Sequence, residues 1–289
     1  MNKNLMLILI LTIGTKMYSQ TNKDLFAFDY ALAPANNEDV DLNKTSLLIN
    51  IPAQWQNFEI TAALDADYYR AEFLESFPLE TSELERLYNV SAGVDFRYNL
   101  AENWSFTADF NTAIASNLTS KISNQDLLYT GGFHIVKTAD SDLPLNIKLG
   151  LGYRTYLGKP KWLPELSISQ QIDENLSYEI GFPQTQVRYA LDPNNSFMVI
   201  ATQDGMYANL STPIILNTNT SAAKTELSAT TLSLGYEYAL DDNWSFSLKG
   251  GYLLKNKFNL LNNTENQVFA FDMPSRPFFS TGIKFNLKK

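Results

Sequence analysis

The chain has 289 residues, no cysteine, one histidine and a formal net charge of -9. The absence of cysteine removes disulfides, thiolate metal sites and thiol nucleophiles, and an acidic balance supplies no basic face for nucleic acid. No Pro/Gly/Ser-rich linker or composition break divides the sequence, so one large domain is expected.

The first element is a leader. Lys3 is followed by an apolar run from Leu5 to Leu11, extended by Ile13, and by Tyr18-Ser19-Gln20. A charged start, a short apolar core and a small residue describe a secretory signal peptide, and the run falls short of the about 20 apolar residues that span a bilayer. Cleavage after Ser19 is expected, giving a leader at 1–19 and a barrel domain at 20–289. The leader holds two lysines and no acid, so the net charge falls from -9 to -11 on its removal. No later stretch approaches helix-spanning length. A membrane-resident mature chain must therefore be a closed β-barrel, because only helices and closed barrels satisfy the backbone inside lipid.

Period-2 alternation then marks strand after strand. Expected strands lie at 24–33, 45–53 and 57–69, with Trp55 in the turn from Pro52 to Asn57. An acidic loop from Arg70 to Arg86 carries Glu72, Glu75, Glu80, Glu83 and Glu85. Carboxylates can bind divalent cations, but no EF-hand-like spacing is present, so a solvated loop and no metal site are expected. Next, Tyr88, Val90, Ala92, Val94, Phe96, Tyr98 and Leu100 alternate with polar residues, and after the turn 101–103 so do Trp104, Phe106, Ala108, Phe110, Thr112 and Ile114. Further strands are expected at 127–138, 145–157, 162–173, 175–182, 185–191, 196–203, 232–240, 244–254 and 279–287. That makes about 14 strands, or 12 if the pieces around Phe182-Pro183 form one bent strand. Many are 9 to 14 residues long, against about 9–11 needed to cross a bilayer at a tilt and 5–6 in an ordinary soluble sheet. The fold class is all-β, a transmembrane antiparallel up-and-down β-barrel.

Two nearly identical stretches, YNLAENWSF at 98–106 and YALDDNWSF at 238–246, fall at turns, with a weaker version at 170–180. Asn suits such turns because it tolerates left-handed backbone angles. Short turns at 53–57, 101–103, 139–143, 173–175, 192–195 and 241–243 alternate with longer connections near 34–43, 70–86, 116–126, 157–161, 204–225 and 255–276, as short periplasmic turns alternate with longer outer loops in outer-membrane barrels. Both termini then fall on the periplasmic side. Trp55, Trp104 and Trp244 mark one interfacial belt and Trp162 the opposite one. The inward faces hold small residues and charges of both signs, giving candidate lumen-lining residues Asp95, Arg97, Asp109, His134, Lys148, Arg154, Glu179, Arg188, Glu237, Lys249 and Lys284. Glu59, Asp65 and Asp67 share one face, which favours cations in a pore, while the lumen arginines and lysines oppose that bias, and strand register sets the balance. Alternation alone also fits a secreted β-sandwich whose apolar faces meet in a core.

The chain resembles the outer-membrane β-barrels of Gram-negative envelopes, and within them a domain-of-unknown-function barrel group. The resemblance rests on Glu102-Asn103-Trp104-Ser105-Phe106 and Asp242-Asn243-Trp244-Ser245-Phe246, on Ile180-Gly181-Phe182-Pro183, and on the run from Arg276 to Leu287. It implies contact with outer-membrane lipid and lipopolysaccharide, and insertion by the barrel assembly machinery. That machinery reads a final strand of alternating apolar residues ending in an aromatic. Phe285 and Leu287 fit this pattern, whereas the ending Lys288-Lys289 departs from it.

Some barrels of this kind hydrolyse lipids with a serine–histidine pair. Here no His-x-Ser pair follows His134, since position 136 is Val, so no catalytic residue and no cofactor is assigned. The expected function is a passive channel or transporter for small solutes, or an envelope structural protein, with a lipid-modifying enzyme or an adhesive β-sandwich as alternatives. Residues 204–225, rich in Asn, Thr and Ser, are the candidate infolded loop.

Overall fold

A computed structural model describes residues 24–34, 40–139, 143, 145–217 and 220–287. The expected leader, most of the turn at 139–143 and the terminal Lys288-Lys289 lie outside the described residues. The strands are β1 (Phe26–Ala33), β2 (Val40–Trp55), β3 (Phe58–Phe73), β4 (Arg86–Ala101), β5 (Trp104–Ser116), β6 (Leu127–Ala139), β7 (Leu145–Arg154), β8 (Lys161–Gln171), β9 (Leu176–Phe182), β10 (Gln184–Ala190), β11 (Asn195–Asn217), β12 (Thr220–Ala239), β13 (Trp244–Leu261), β14 (Gln267–Phe271) and β15 (Arg276–Phe285). Each of the first thirteen pairs with its sequence neighbour. β14 and β15 both pair with β13, as two pieces of one broken strand, and β15 pairs with β1. The result is an antiparallel barrel of 14 staves, closed between β15 and β1 as a spanning sheet requires.

Outside, the lower barrel is apolar. Phe110, Leu149, Leu234, Val94, Leu64 and Phe279 are exposed, and aromatic rings mark both limits of this belt. At the rim of short turns, Trp55 stacks on Phe58 at 5.1 Å, Trp244 packs on Phe285 at 4.9 Å, and the Lys137 ammonium sits 5.2 Å from the Trp104 ring. At the other limit, Tyr68 stacks on Tyr88 at 5.1 Å and Tyr153 meets Trp162 at 5.7 Å. From Phe58 to Tyr68 the strand covers the about 9–11 residues that a tilted crossing needs. Such a surface on a soluble protein would be a very large exposed apolar patch; in lipid it is the expected outer band.

The repeated turns have a different cause from the left-handed asparagine expected above. Among the described non-glycine residues only Gln56, Leu118 and Glu265 have positive φ. Instead, in three of the short turns one Asp carboxylate oxygen accepts two successive backbone N–H groups: Asp173 from Asn175 and Leu176, Asp192 from Asn194 and Asn195, Asp241 from Asn243 and Trp244; the turn at 101–103 has Ala101 in the place of Asp241. The three with Asp are Asx turns. The turn asparagines contribute their backbone carbonyls, which accept from the next hairpin: Asn57 from Asn99, Asn103 from Thr138, Asn175 from Ala190, Asn194 from Ala239 and Asn243 from Asn286. The motif recurs because every turn closes the same rim.

The strand count agrees with the larger expectation. β9 and β10 pair with each other, Val187 opposite Tyr178, and meet at a tight turn with a cis Phe182–Pro183 bond. Strand lengths differ from expectation on the far side of the barrel. Residues expected as loops at 204–225 and 255–276 belong largely to strands, because β11, β12 and β13 run on to 23, 20 and 18 residues. The turn expected from Pro52 shrinks to Gln56-Asn57, since β2 continues through Trp55.

Above the outer aromatic belt the strands change sense. On β2 the inward series passes from Ser46 and Lys44 to Leu42 and Val40, and on β3 from Asp65 and Asp67 to Tyr69 and Ala71. Outward positions become Asp41, Asn43, Arg70 and Glu72. The inward residues join Leu84, Leu87, Ala115, Met206, Ala208, Leu210, Ile214, Phe258, Leu260 and Phe271 in one buried apolar cluster. This is a soluble-type core set on top of the barrel, and we refer to it as the cap.

Candidate functional site

The lumen below the cap has two unlike halves. On the β5–β8 side it is filled by a charged network. Arg154 of β7 donates to both carboxylate oxygens of Asp109 on β5, at 2.5 and 2.7 Å, and its Nε donates to Glu165 of β8 at 2.8 Å. The other Glu165 oxygen pairs with His134 Nε2 on β6, and Thr107 Oγ1 lies 3.3 Å from His134 Nδ1. Space for these side chains comes from glycines on the same strands: a Cβ at Gly152 would lie 2.7 Å from Arg154 Nε and 2.8 Å from Glu165 Oε1. Bidentate, charge-assisted bonds are the strong class, and a fully satisfied buried network holds its strands in fixed register.

The order hydroxyl–imidazole–carboxylate repeats the bonding of a hydrolytic triad. Here the carboxylate is clamped by Arg154 as well, and His134 and Glu165 side chains are each 3% exposed. The contacts tie β5, β6, β7 and β8 together across the lumen.

On the opposite side, walled by β1, β2, β10–β13 and β15, lies a cavity of about 320 Å³. Its lower end is lined by Lys284, Glu237, Ser247 and Lys249, its upper end by Leu42, Ala229, Leu253 and Phe278. Its charges come in pairs: Arg188 with Glu237 at 2.6 Å, Lys249 with Asp29 at 3.5 Å, Lys284 with Asp24 at 3.2 Å, and Lys44 with Asp67 at 3.4 Å and Asp204 at 2.8 Å. The Lys44–Asp204 pair links β2 to β11 across the lumen, just beneath the cap.

The upper parts of β11 and β12 roof the lumen over. β9 and β10 have seven residues each, so β11 parts from its β10 side after Thr202 opposite Gln184 and a last bond from the Gln203 N–H to the Pro183 carbonyl at 2.9 Å. Freed there, it leans across the low wall. Gln203 donates to the Tyr156 carbonyl at 2.9 Å, Thr155 to the Gly205 carbonyl at 3.3 Å, and Asn209 reaches a parallel bridge with Ser116 at the end of β5. Further contacts hold the hairpin down: Asn209 Nδ2 donates to Asp126 at 2.9 Å, the Ser211 N–H to Asn117 Oδ1 at 2.9 Å, and the Lys159 N–H to Glu226 at 2.8 Å. Gly158, at φ +93°, lets the β7–β8 connection press against Glu226; a Cβ there would lie 2.5 Å from Oε2. The segment 204–225, expected as an infolded loop, is thus a bent hairpin that caps the lumen.

Of the residues singled out in the sequence, Asp109, His134 and Arg154 share the network, while Arg188, Glu237, Lys249 and Lys284 pair around the cavity. Asp95 and Arg97 on β4 lie opposite Thr61 and Glu59, Lys148 on β7 opposite Ser167, and Glu179 on β9 opposite Ser169; neither cluster includes these four. Glu83, in the loop read as a solvated acidic loop, accepts from Asn117 at 2.5 Å and Thr119 at 2.8 Å and ties the cap together. Among the described residues, no cluster of three or more His, Asp or Glu could hold a metal. Sequence reasoning missed Glu165, Lys44, Asp204, Asp29 and Ser247. The available signal was inner-face parity on their strands, which becomes contact only once the register is known.

A family described as "Domain of unknown function (DUF6268)" matches residues 54–286. No curated protein matches the chain. Similar solved structures include LpxR from Salmonella typhimurium (7% identity, 91% of this chain and 99% of that chain, TM-score 0.40) and outer membrane phospholipase A from Escherichia coli (10% identity, 96% of each chain, TM-score 0.38). A KdgM porin in complex with disordered oligogalacturonate is also similar (10% identity, 91% of this chain and 99% of that chain, TM-score 0.37).

Proposed function

The chain belongs to the DUF6268 family, and we propose that it is an outer-membrane barrel acting as a gated channel for small solutes, shut at rest by its own β11–β12 hairpin. The observation that carries this reading is the cavity of about 320 Å³ left in the lumen directly beneath a roof made of the chain's own strands. A barrel serving only as scaffold gains nothing from that space, since filling it would add packing on both sides. The roof rests on Lys44 of β2 and on the β5–β6 and β7–β8 connections, and these contacts are discrete and breakable. In this reading the short turns face the periplasm, as in outer-membrane barrels, and the roof faces the cell exterior.

The test uses the chain's lack of cysteine. Ser116 and Asn209 are bridge partners, so the double variant Ser116→Cys/Asn209→Cys meets the spacing a disulfide requires. In planar bilayers the reduced protein should show discrete openings and the oxidised protein none. Silence in both states, with folding verified by heat-modifiable gel mobility, would overturn the channel and favour a structural role. His134→Ala tests the enzymatic alternative: lipid hydrolysis by the parent chain that disappears in this variant would replace the channel reading.

A further inference from the structure

We infer that the lumenal cavity is a binding site for an uncharged amphipathic small molecule, one with a compact apolar body and a hydroxyl or amide head, entered from the rim of short turns. This deepens the channel reading by naming a solute class. The upper wall is apolar: Ala33, Leu253 and Phe278 form a buried cluster with Ala229 packed against it, and Leu42 and Ile200 continue that surface. The lower wall offers hydrogen bonds. Ser247 Oγ is buried, its residue 2% exposed, and has no hydrogen-bond partner in the protein. Ser247 lines the cavity with Ser233, Ser280 and Gln186. A buried hydroxyl left without a partner costs about 1–3 kcal/mol, and a ligand donor or acceptor at this point would recover part of that.

Charge decides the class. Lys249, Lys284, Arg188 and Lys44 each already face a carboxylate. An ionic head would lose its hydration and find no uncompensated partner in return. A neutral head keeps the existing pairs and bonds to Ser247. The cavity lies at the low end of the range for small-molecule sites, which suits one short chain or ring.

The experiment needs no conductance, so its failure is distinct from failure of the channel reading. In the cysteine-free chain, Ser247→Cys introduces a single thiol at the cavity floor with little change in volume. The folded variant in detergent at pH 7 is treated with N-ethylmaleimide in the presence of 1-hexanol, hexanoate or hexylammonium, which share one apolar body and differ in head charge. Hexanol should halve the labelling rate at a concentration at least tenfold below either ion, and adding Ala229→Trp should abolish that protection. If that variant does not fold, Ala33→Phe closes the same end. Equal or better protection by hexanoate, protection by none, or a thiol that does not react at all would each overturn the inference.

Discussion

The lower barrel and the cap are built from the same strands but obey opposite rules. Below the outer aromatic belt, β3 turns Asp65 and Asp67 inward and Leu64 outward; a few residues further on, Tyr69 and Ala71 face in and Arg70 and Glu72 face out. Backbone geometry is continuous through the change, because the hydrogen-bonded ladder β2–β3 runs unbroken from Trp55–Phe58 to Val40–Phe73. What changes is the surrounding solvent. Lipid rewards apolar residues outside and leaves the interior to polar ones, while water above the membrane does the reverse. A strand thus fixes which residues share a face, and its surroundings decide which face is greasy.

The largest effect should break the cap. Phe258 is fully buried in its apolar cluster, and Phe258→Ala should cost about 3–5 kcal/mol, read as a lowered urea midpoint of the refolded barrel. Phe110→Ala on the lipid face, where 58% of the residue is exposed, should cost clearly less; equal losses would remove the distinction between core and lipid surface. A comparable loss is expected in the lumen, where Glu165→Ala leaves Arg154 and His134 without their shared carboxylate; breaking a buried pair in this way costs about 3–5 kcal/mol. Next comes Leu234→Lys in the lipid-facing band, at about 2–4 kcal/mol, against a change within about 0.5 kcal/mol for Lys257→Leu on the water-facing side of the cap. A neutral Leu234→Lys would show that this band does not meet lipid.

The smallest effect concerns pH. Burial acts to raise the Asp126 carboxyl, but bonds from the Ser123 N–H, the Asn209 amide and the Ser116 and Ser123 hydroxyls outweigh it and hold the group below the ordinary carboxylate range. A depressed carboxylate contributes stability that is present above the unfolded value, about pH 4, and lost as pH falls through the folded one. Pepsin cleavage within the β11–β12 hairpin should therefore accelerate as the medium is taken below about pH 4. Asp126→Asn should cleave faster at pH 5 and lose that step; a step that survives the substitution would acquit this carboxylate.

The lower strands were legible because one face is apolar and the other polar for ten residues at a time. The cap was not: once the apolar series changes face, as from Lys44 to Leu42 or from Lys249 to Leu253, periodicity loses its phase. Register shifts between Asn209 and Ile214 and between Thr230 and Thr231 blur it further. What remained was a composition of Asn, Thr and Ser, which resembles a loop. Asp109, Arg154 and His134 could be placed on inner faces, yet Glu165 could not be joined to them. The contact depends on Gly150 lying opposite both His134 and Glu165, and register is a property of pairs of strands.

The low wall at β9 and β10 has a consequence for the membrane itself. A seven-residue strand is about 23 Å long at about 3.3 Å per residue, and at a tilt near 40° it rises only about 18 Å along the membrane normal, against an apolar band of about 25 Å elsewhere on such barrels. Ile180, Val187 and Tyr189 still face outward there. Lipid along this sector must thin by several ångströms to match it, so the barrel sits in an asymmetric dimple, and neighbouring molecules with short acyl chains should collect on that flank.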